Sequence, residues 1–202
     1  MRAMSRGHAL ALTFILAAAV AALSLADDHG ARKTRGAGGV AVRPKAPAGG
    51  DPLLRFFPTA AEVPGLKATG DSRTCGGGEE LTVIYDGGFQ RYVEAGVTSA
   101  SQRYFRLAGG TVEVTLHQMK NEKAADTFLA SLCKDIKSSV ESLGFKQAKG
   151  SLCTGAGQDS AYGYVALDKL LAMASFDRGD LKTTRAILVA IAERAADARR
   201  LR

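Results

Sequence analysis

The chain has 202 residues, of which 46% are hydrophobic, and its formal net charge is +7. Much of this charge precedes the folded region, because the sequence from Pro52 onward carries 20 basic and 17 acidic residues. So small an excess disfavours nucleic-acid binding by the folded region. The roughly 150 residues after Asp51 are enough for one domain with a sizeable core.

Residues 1–26 have the organisation of an export signal. Arg2 and Arg6 form a basic start, Ala9 to Leu23 form an apolar run, and Ser24-Leu25-Ala26 is a small-residue cleavage site. The alternative is an uncleaved membrane anchor, since the uncharged stretch is nearly long enough to span a bilayer. Its high alanine content favours cleavage. We therefore expect an exported protein, periplasmic or extracellular, that touches the membrane only if this segment is retained.

Residues 27–51 combine Gly, Ala, Pro and charged residues without apolar periodicity, which is typical of a flexible tether. If cleavage follows Ala26, Asp27-Asp28-His29 becomes the new N-terminus. A free amine, two amide nitrogens and an imidazole in third position can bind Cu(II) or Ni(II) in a square plane. The alternative is that this tripeptide lies beside the cleavage point by coincidence.

Three cysteines, Cys75, Cys133 and Cys153, allow one disulfide and one spare thiol. Cys133 lies on the apolar stripe of a predicted helix, where a small core residue is expected. Cys75 and Cys153 both lie in Gly-rich stretches that we interpret as loops. The expected disulfide therefore joins Cys75 to Cys153.

Residues 52–70 are predicted to be irregular, and a loop is predicted around Cys75 to Gly78. Residues 79–95 suit two interpretations, because their apolar residues alternate at first, as in a strand, yet also recur at helical spacing. Two adjacent acidic residues at the start suit a helix N-terminus. We favour two short helical pieces that break at Asp86-Gly87-Gly88 and end near Gly96.

Residues 101–119 are predicted to form a β-hairpin with a two-residue turn at Gly109-Gly110. In that register the apolar side chains of both strands share one face, and a cross-strand pair of opposite charge lies on the other. The opposing pairs are Leu107 with Val112, Phe105 with Val114 and Arg106 with Glu113.

A helix is predicted to follow the hairpin, with Asn121 as its N-cap and an apolar stripe that reaches Val140. Gly144 ends this helix or lies just beyond it. Residues 145–147 are predicted to form a short strand that leads into the Cys153 loop.

Residues 161–176 favour a second hairpin, with Asp168-Lys169 as its turn, although their Ala and Leu content also permits a helix. A final helix is capped by Asp180 or Thr183. The order strand, strand, helix thus occurs twice. It predicts one α+β domain over residues 52–202, with a mainly antiparallel sheet and the helices packed on one face.

Several short motifs of this domain share a pattern with known proteins. Together they resemble a family of exported bacterial proteins whose domain has no assigned function, with a signature of the type Leu-Tyr-x-Tyr-Ile-Asn-Gly-Ala-Ala-Glu-Leu-Tyr. Leu66 stands where the family usually has Trp, and Asp86 stands where it has Asn. The resemblance implies a fold and an export route and does not imply an activity. The matching positions are Phe57-Pro58, Pro64-Gly65-Leu66, Leu81, Ile84, Asp86-Gly87, Tyr92, Ala95-Gly96-Val97, Gln118-Met119 and Ala124-Ala125.

Catalytic chemistry has little support in this sequence. Nucleophilic hydrolysis needs a histidine in the domain, and only His117 lies after Pro52. The hairpin register puts His117 on the face away from Val112 and Val114, where we expect a half-exposed strand residue. No Gly-x-Ser-x-Gly elbow, Cys-x-x-Cys pair or phosphate loop is present, so no metal or cofactor is predicted in the domain.

The strongest candidate for a binding site is Tyr85-Asp86-Gly87-Gly88 together with Tyr92. Aromatic rings, a carboxylate and exposed backbone at a helix break can line a small cleft. The alternative is a structural break whose tyrosines pack inward. The leading hypothesis is therefore an exported binding or interaction module, whose partner is a small ligand or another envelope protein. A carboxylate-dependent hydrolase of the cell envelope and the Cu(II)/Ni(II) tripeptide are the alternatives.

Overall fold

The computed structural model describes residues 51–145 and 149–200, which contain seven strands. The expected signal, the tether up to Gly50 and the Asp27-Asp28-His29 tripeptide lie outside the described residues. None of the described helices is long and apolar enough to cross a membrane. The strands are β1 Lys67–Gly76, β2 Val97–Leu107, β3 Gly110–Met119, β4 Glu141–Gly144, β5 Lys149–Ala156, β6 Ser160–Leu167 and β7 Leu170–Asp177; the helices are α1 Gln90–Ala95, α2 Glu122–Asp135 and α3 Leu181–Arg200, with 3-10 turns at Leu54–Phe56 and Gly78–Val83.

All seven strands form one antiparallel sheet in the order β1-β2-β3-β7-β6-β5-β4. The predicted α+β class is confirmed. Both predicted strand-strand-helix units are present, as β2-β3-α2 and as β6-β7-α3. The central strand of the sheet is β7, which joins the two hairpins through its pairing with β3.

The expectation that the helices share one face of the sheet is wrong, because α2 and α3 cover opposite faces. On α3, Ile187 and Ile191 belong to the core that contains Val114 of β3. On α2, Leu129 belongs to the core that contains Leu171 of β7. Successive side chains of a strand point to opposite faces, and residues 114–117 of β3 are all buried, so both faces need a cover.

The hairpin turn lies one residue earlier than expected. Leu107 pairs with Gly110, and Phe105 pairs with Val112, so the turn residues are Ala108 and Gly109, with φ of 48° and 82°. Gly110 is needed in the strand, because a Cβ there would lie 2.2 Å from the carbonyl oxygen of Asp177. The pairing shifts by two residues, so the apolar side chains still share one face, as predicted.

Two other segments also differ from expectation. Residues 67–70 were expected to be irregular, and residues 75–76 were expected to lie in a loop. Both stretches belong to β1, an edge strand that is mostly exposed on both faces. The Cys153 stretch was expected to be a loop and is instead strand β5. Its Gly155 lies beneath Ile136, whose Cδ1 would be 3.2 Å from a Cβ at that position, so glycine there permits close packing of the α2 end on the sheet.

The predicted helix boundaries are partly confirmed. Asn121 caps α2, because its Oδ1 accepts a hydrogen bond from the Ala124 N–H at 2.8 Å. Asp180 caps α3 in the same way through the Thr183 N–H, also at 2.8 Å. The α2 helix ends at Asp135, earlier than predicted, and Val140 is 48% exposed beyond it. The two short helical pieces flanking Asp86-Gly87-Gly88 are confirmed, and Gly96 ends the second with φ of 90°.

The predicted Cys75–Cys153 disulfide is wrong: the structure joins Cys133 of α2 to Cys153 of β5 and leaves Cys75 free and buried. Strands β1 and β5 are separated by four others in the sheet. At about 4.8 Å per strand their residues lie on the order of 24 Å apart, whereas a disulfide requires Cα atoms within about 7 Å. Helix α2 instead lies over β5 and carries Cys133 to Cys153.

Asp51 was expected to belong to the tether but is anchored to the domain. Its carboxylate accepts hydrogen bonds from the Leu53 N–H at 2.9 Å and from the Thr74 hydroxyl at 3.2 Å. The hydroxyl of Ser101 also donates to it. Asp51 is therefore bonded to the domain, which was expected to begin at Pro52.

Candidate binding face

The five residues predicted to bind a ligand divide into two groups in the structure. Tyr85 and Tyr92 are half-buried and stack on each other, with ring centroids 3.7 Å apart. The ring of Tyr92 also packs edge-on against Phe128 of α2, at 5.4 Å. Asp86, Gly87 and Gly88 are exposed in the turn between the two helical pieces. The tyrosines thus face the sheet, and the three turn residues face solvent.

His117 lies under these tyrosines and is completely buried, so the expectation of a half-exposed residue is wrong. Burial lowers the pKa of His117 to about 4, and burial raises the pKa of Tyr85 above its ordinary value. Both side chains are therefore neutral near pH 7. The Tyr85 hydroxyl then donates to Nε2, and Nδ1–H donates to the Leu171 carbonyl at 3.2 Å. With both ring nitrogens engaged, His117 is a structural residue.

All five tyrosines of the chain lie on the α2 side of the sheet. Tyr85 and Tyr92 stack beside His117, and strand pairing aligns Tyr104, Tyr162 and Tyr164 in rows. Tyr104 of β2 is opposite Glu113 of β3, which is opposite Ser175 of β7, which is opposite Tyr162 of β6. The adjacent row crosses the same four strands. We call these eight residues the tyrosine face: Tyr104, Glu113, Ser175 and Tyr162, with Gln102, Thr115, Met173 and Tyr164. Tyr85 borders it, with its hydroxyl 3.8 Å from the Met173 sulfur.

A hydrogen-bond network fixes the polar side chains of the tyrosine face. The Tyr104 hydroxyl donates to Gln102 Oε1 at 3.1 Å. The amide of Gln102 donates to Glu113 at 2.9 Å and to the Thr115 hydroxyl at 3.4 Å. Gln102 and Thr115 are each only 3% exposed. A buried amide that holds a half-buried carboxylate in one position is a preorganised polar group.

The tyrosine face is open at the centre of the sheet. Ser175 is an exposed residue on β7, although β7 has three strands on either side. Helix α2 covers the neighbouring half of the same sheet face, where Cys133 is bonded to Cys153. No element within residues 51–145 and 149–200 buries the half that carries Glu113 and Ser175. An uncovered polar patch in the middle of a sheet is accessible to a ligand.

The described part of the chain has three concave regions, two outside the tyrosine face and one at its edge. One, of about 610 Å³, is formed by residues 156–161 and 177–181 at one end of the sheet. A second, of about 440 Å³, lies between α1 and α2 and includes Glu94, Lys120 and Lys123. The third, of about 300 Å³, borders the tyrosine face at Arg73 and Tyr104. Among the described residues, no group of three or more His, Cys, Asp or Glu is arranged to hold a metal ion.

No family model matches the chain, and no curated protein matches its sequence. Among solved structures, the chain is similar to the extracellular domain of PknH from Mycobacterium tuberculosis, at 10% identity and a TM-score of 0.46. The overlap covers 70% of this chain and 93% of that one. A likeness this distant says nothing about what the present chain binds.

Sequence reasoning found Tyr85 and Tyr92 but missed the residues beside them. Glu113 and Thr115 alternate with apolar residues along β3, whereas Gln102 and Tyr104 lie in a mostly polar part of β2. The alternation along β3 predicts the polar face of a hairpin, where Glu113 was expected to pair with Arg106. Nothing in the sequence shows that Tyr162 and Tyr164 lie on the same face, because this depends on the pairing of β3 with β7.

Proposed function

We propose that this chain is an exported binding module that recognises a small ligand at its tyrosine face. The observation that carries the proposal is the preorganised network of Tyr104, Gln102 and Glu113 beside an exposed central serine. Aromatic side chains with polar tips supply contact area and hydrogen bonds at low entropic cost. Export is supported by the basic and apolar start of the sequence and by the disulfide, since disulfides persist in oxidising compartments.

A hydrolase is less well supported by the same geometry. The one histidine of the domain sequence is buried and hydrogen-bonded at both nitrogens, so it cannot reach a substrate. Glu113 is held by an amide and has no second carboxylate in its hydrogen-bond network. The Cu(II)/Ni(II) hypothesis concerns residues outside those described and stays a prediction from the sequence.

The proposal is tested by thermal shift with a panel of sugars, amino acids, alkyl amines, dicarboxylates and nucleosides. A ligand present at 100 times its Kd stabilises the folded state by about 2.7 kcal/mol, which raises the Tm by roughly 5–10 °C for a domain of this size. We expect at least one class to do so for the wild type. We expect Tyr104→Ala and Tyr162→Ala to abolish the shift while keeping the far-UV circular dichroism of the wild type.

The matched control is Lys123→Ala, which alters the concave region between α1 and α2 instead. This variant should keep the ligand-induced shift. The proposal fails if no class stabilises the wild type. It also fails if Lys123→Ala loses the shift and the two tyrosine variants retain it, because the ligand then binds between the helices.

A further inference from the structure

The tyrosine face carries one negative charge without a cationic partner. Glu113 forms no ion pair with any residue in ranges 51–145 and 149–200. Two arginines lie on the same side of the sheet, and each directs a donor elsewhere. Arg73 donates to the Val83 carbonyl at 3.4 Å, and Arg106 donates to the Thr111 hydroxyl at 2.7 Å. The carboxylate of Glu113 is therefore available for a charge from outside the chain.

Aromatic rings lie on two sides of this carboxylate. Tyr104 lies directly opposite Glu113, and Tyr162 lies two strands away on the other side of Ser175. Burial raises the pKa of Tyr85, Tyr92 and Tyr104, and the negative charge of Glu113 adds to the rise in each case. Faces of phenol rings attract cations through their quadrupole, as the carboxylate does through its charge. The rings and the carboxylate therefore both favour a positively charged ligand.

The bonding of Glu113 indicates what kind of cation fits. Gln102 donates to one carboxylate oxygen, Oε1, and the Tyr104 hydroxyl lies close enough to the carboxylate to interact with it. A carboxylate has about four acceptor positions, so Glu113 can still accept a hydrogen bond from a ligand. Ser175, the next residue across the sheet, is small and leaves space between Glu113 and Tyr162. The distance from Tyr104 to Tyr162 is three strand spacings, or about 14 Å. An N–H donor on a short alkyl chain can reach the carboxylate, and the chain can lie along the rings.

We propose that the tyrosine face binds an organic cation through a primary ammonium group that pairs with Glu113 between Tyr104 and Tyr162. This inference rests on the proposed function, because it names the ligand class of the same site. A carboxylate without a cationic partner, a ring on either side and a small residue beside the carboxylate form the recognition element. A neutral ligand of the same shape lacks the charge that these groups complement.

The test compares 1,5-diaminopentane with 1,5-pentanediol, a neutral molecule of nearly the same length, at matched ionic strength. Chemical shifts of the Ser175 amide and of the Tyr104 and Tyr162 rings are followed by NMR titration. We expect saturable shifts with the diamine and none with the diol at equal concentration. We expect Glu113→Gln to weaken diamine binding at least tenfold while leaving the Tm in the absence of ligand within a few degrees.

The matched control is Glu94→Gln, which removes an exposed carboxylate from α1, outside the tyrosine face. It should bind the diamine like the wild type. Equal shifts with diol and diamine would overturn the inference and leave the proposed function standing, since the face would still bind a ligand. Undiminished diamine binding by Glu113→Gln, or no shift with either probe, also overturns it. The proposed function is tested separately, by the thermal-shift measurements with the panel of ligand classes.

Discussion

His117 shows how far the environment of one residue can depart from what its strand position indicates. On a hairpin with one apolar face, its side chain is on the polar side. The segment that contains Tyr85 and Tyr92 then covers it, and the stack of three rings excludes water. The tyrosine hydroxyl and a backbone carbonyl satisfy both nitrogens, so burial costs no unmade hydrogen bond.

The pKa of His117 leads to a prediction about acid stability. In the folded protein this pKa is lowered from 6.5 to about 4, mainly by burial. Between these two values the unfolded chain binds a proton that the folded chain does not, so the free energy of unfolding falls as the pH decreases. The loss begins near pH 6.5 and is complete near pH 4, and it amounts to roughly 3 kcal/mol. Urea unfolding at pH 7, 6, 5 and 4 measures it.

Carboxyl groups titrate over part of the same pH range. A variant is therefore needed that separates the contribution of His117 to stability from theirs. His117→Gln keeps a polar side chain that does not titrate. Its stability at pH 7 should be lower than that of the wild type, but its decrease from pH 6.5 to pH 5 should be much smaller. Parallel pH profiles for the two proteins would show that His117 is protonated equally in the folded and unfolded states.

At the scale of elements, two neighbouring glycines of the β2–β3 hairpin have different structural roles. Gly109 has positive φ and belongs to the turn. Gly110 lies in the strand, close to the backbone carbonyl of Asp177. A Gly-Gly pair suits either position in a two-residue turn, so the local sequence could not choose between them. The close contact with β7 decides, because β7 is a neighbour only in the folded sheet.

Two substitutions test this assignment. Ala108→Asn should stabilise the protein by about 0.5–1 kcal/mol, because Asn tolerates the left-handed conformation that Ala108 adopts at φ of 48°. Gly110→Ala should destabilise it by about 2 kcal/mol, because the new methyl group has no space beside the Asp177 carbonyl. Chemical denaturation of both variants measures the difference. A neutral Gly110→Ala would contradict the close contact of Gly110 with the Asp177 carbonyl.

The helices illustrate which local signals suffice. Asn121 was identified as the cap of α2, and the cap of α3 was narrowed to Asp180 or Thr183, because a cap depends on residues within one turn of each other. The end of α2 was placed too late, since Ile136 and Val140 continue the apolar spacing. The chain leaves the helix after Asp135, and Lys137 adopts positive φ before strand β4 begins at Glu141.

At the scale of the whole molecule, the Cys133–Cys153 disulfide ties α2 to the sheet on the side away from α3. It closes a loop with a sequence separation of 20 residues. Removing it by the double substitution Cys133→Ala and Cys153→Ala should lower the free energy of unfolding by about 3 kcal/mol. Urea unfolding of the oxidised wild type and the double variant gives this difference.

Mass analysis of a non-reduced digest provides the companion measurement. A peptide pair containing Cys133 and Cys153 should appear, together with Cys75 as a free thiol. Burial raises the pKa of Cys75 to about 11, so its alkylation at neutral pH should be slow until the protein is unfolded. A bridge that contains Cys75 would contradict the strand order of the sheet.

The sequence by itself determined the α+β class, the two hairpins with the helices that follow them, the helix break at Asp86-Gly87-Gly88 and the cap of α2 at Asn121. Each of these depends on periodicity, capping or turn chemistry within a few residues. Only the tertiary structure decided the disulfide partner, the opposite placement of α2 and α3, the strand character of β1 and the burial of His117. Each of these depends on which strands become neighbours, and strand order places residues far apart in the chain, such as Tyr104 and Tyr162, on one face.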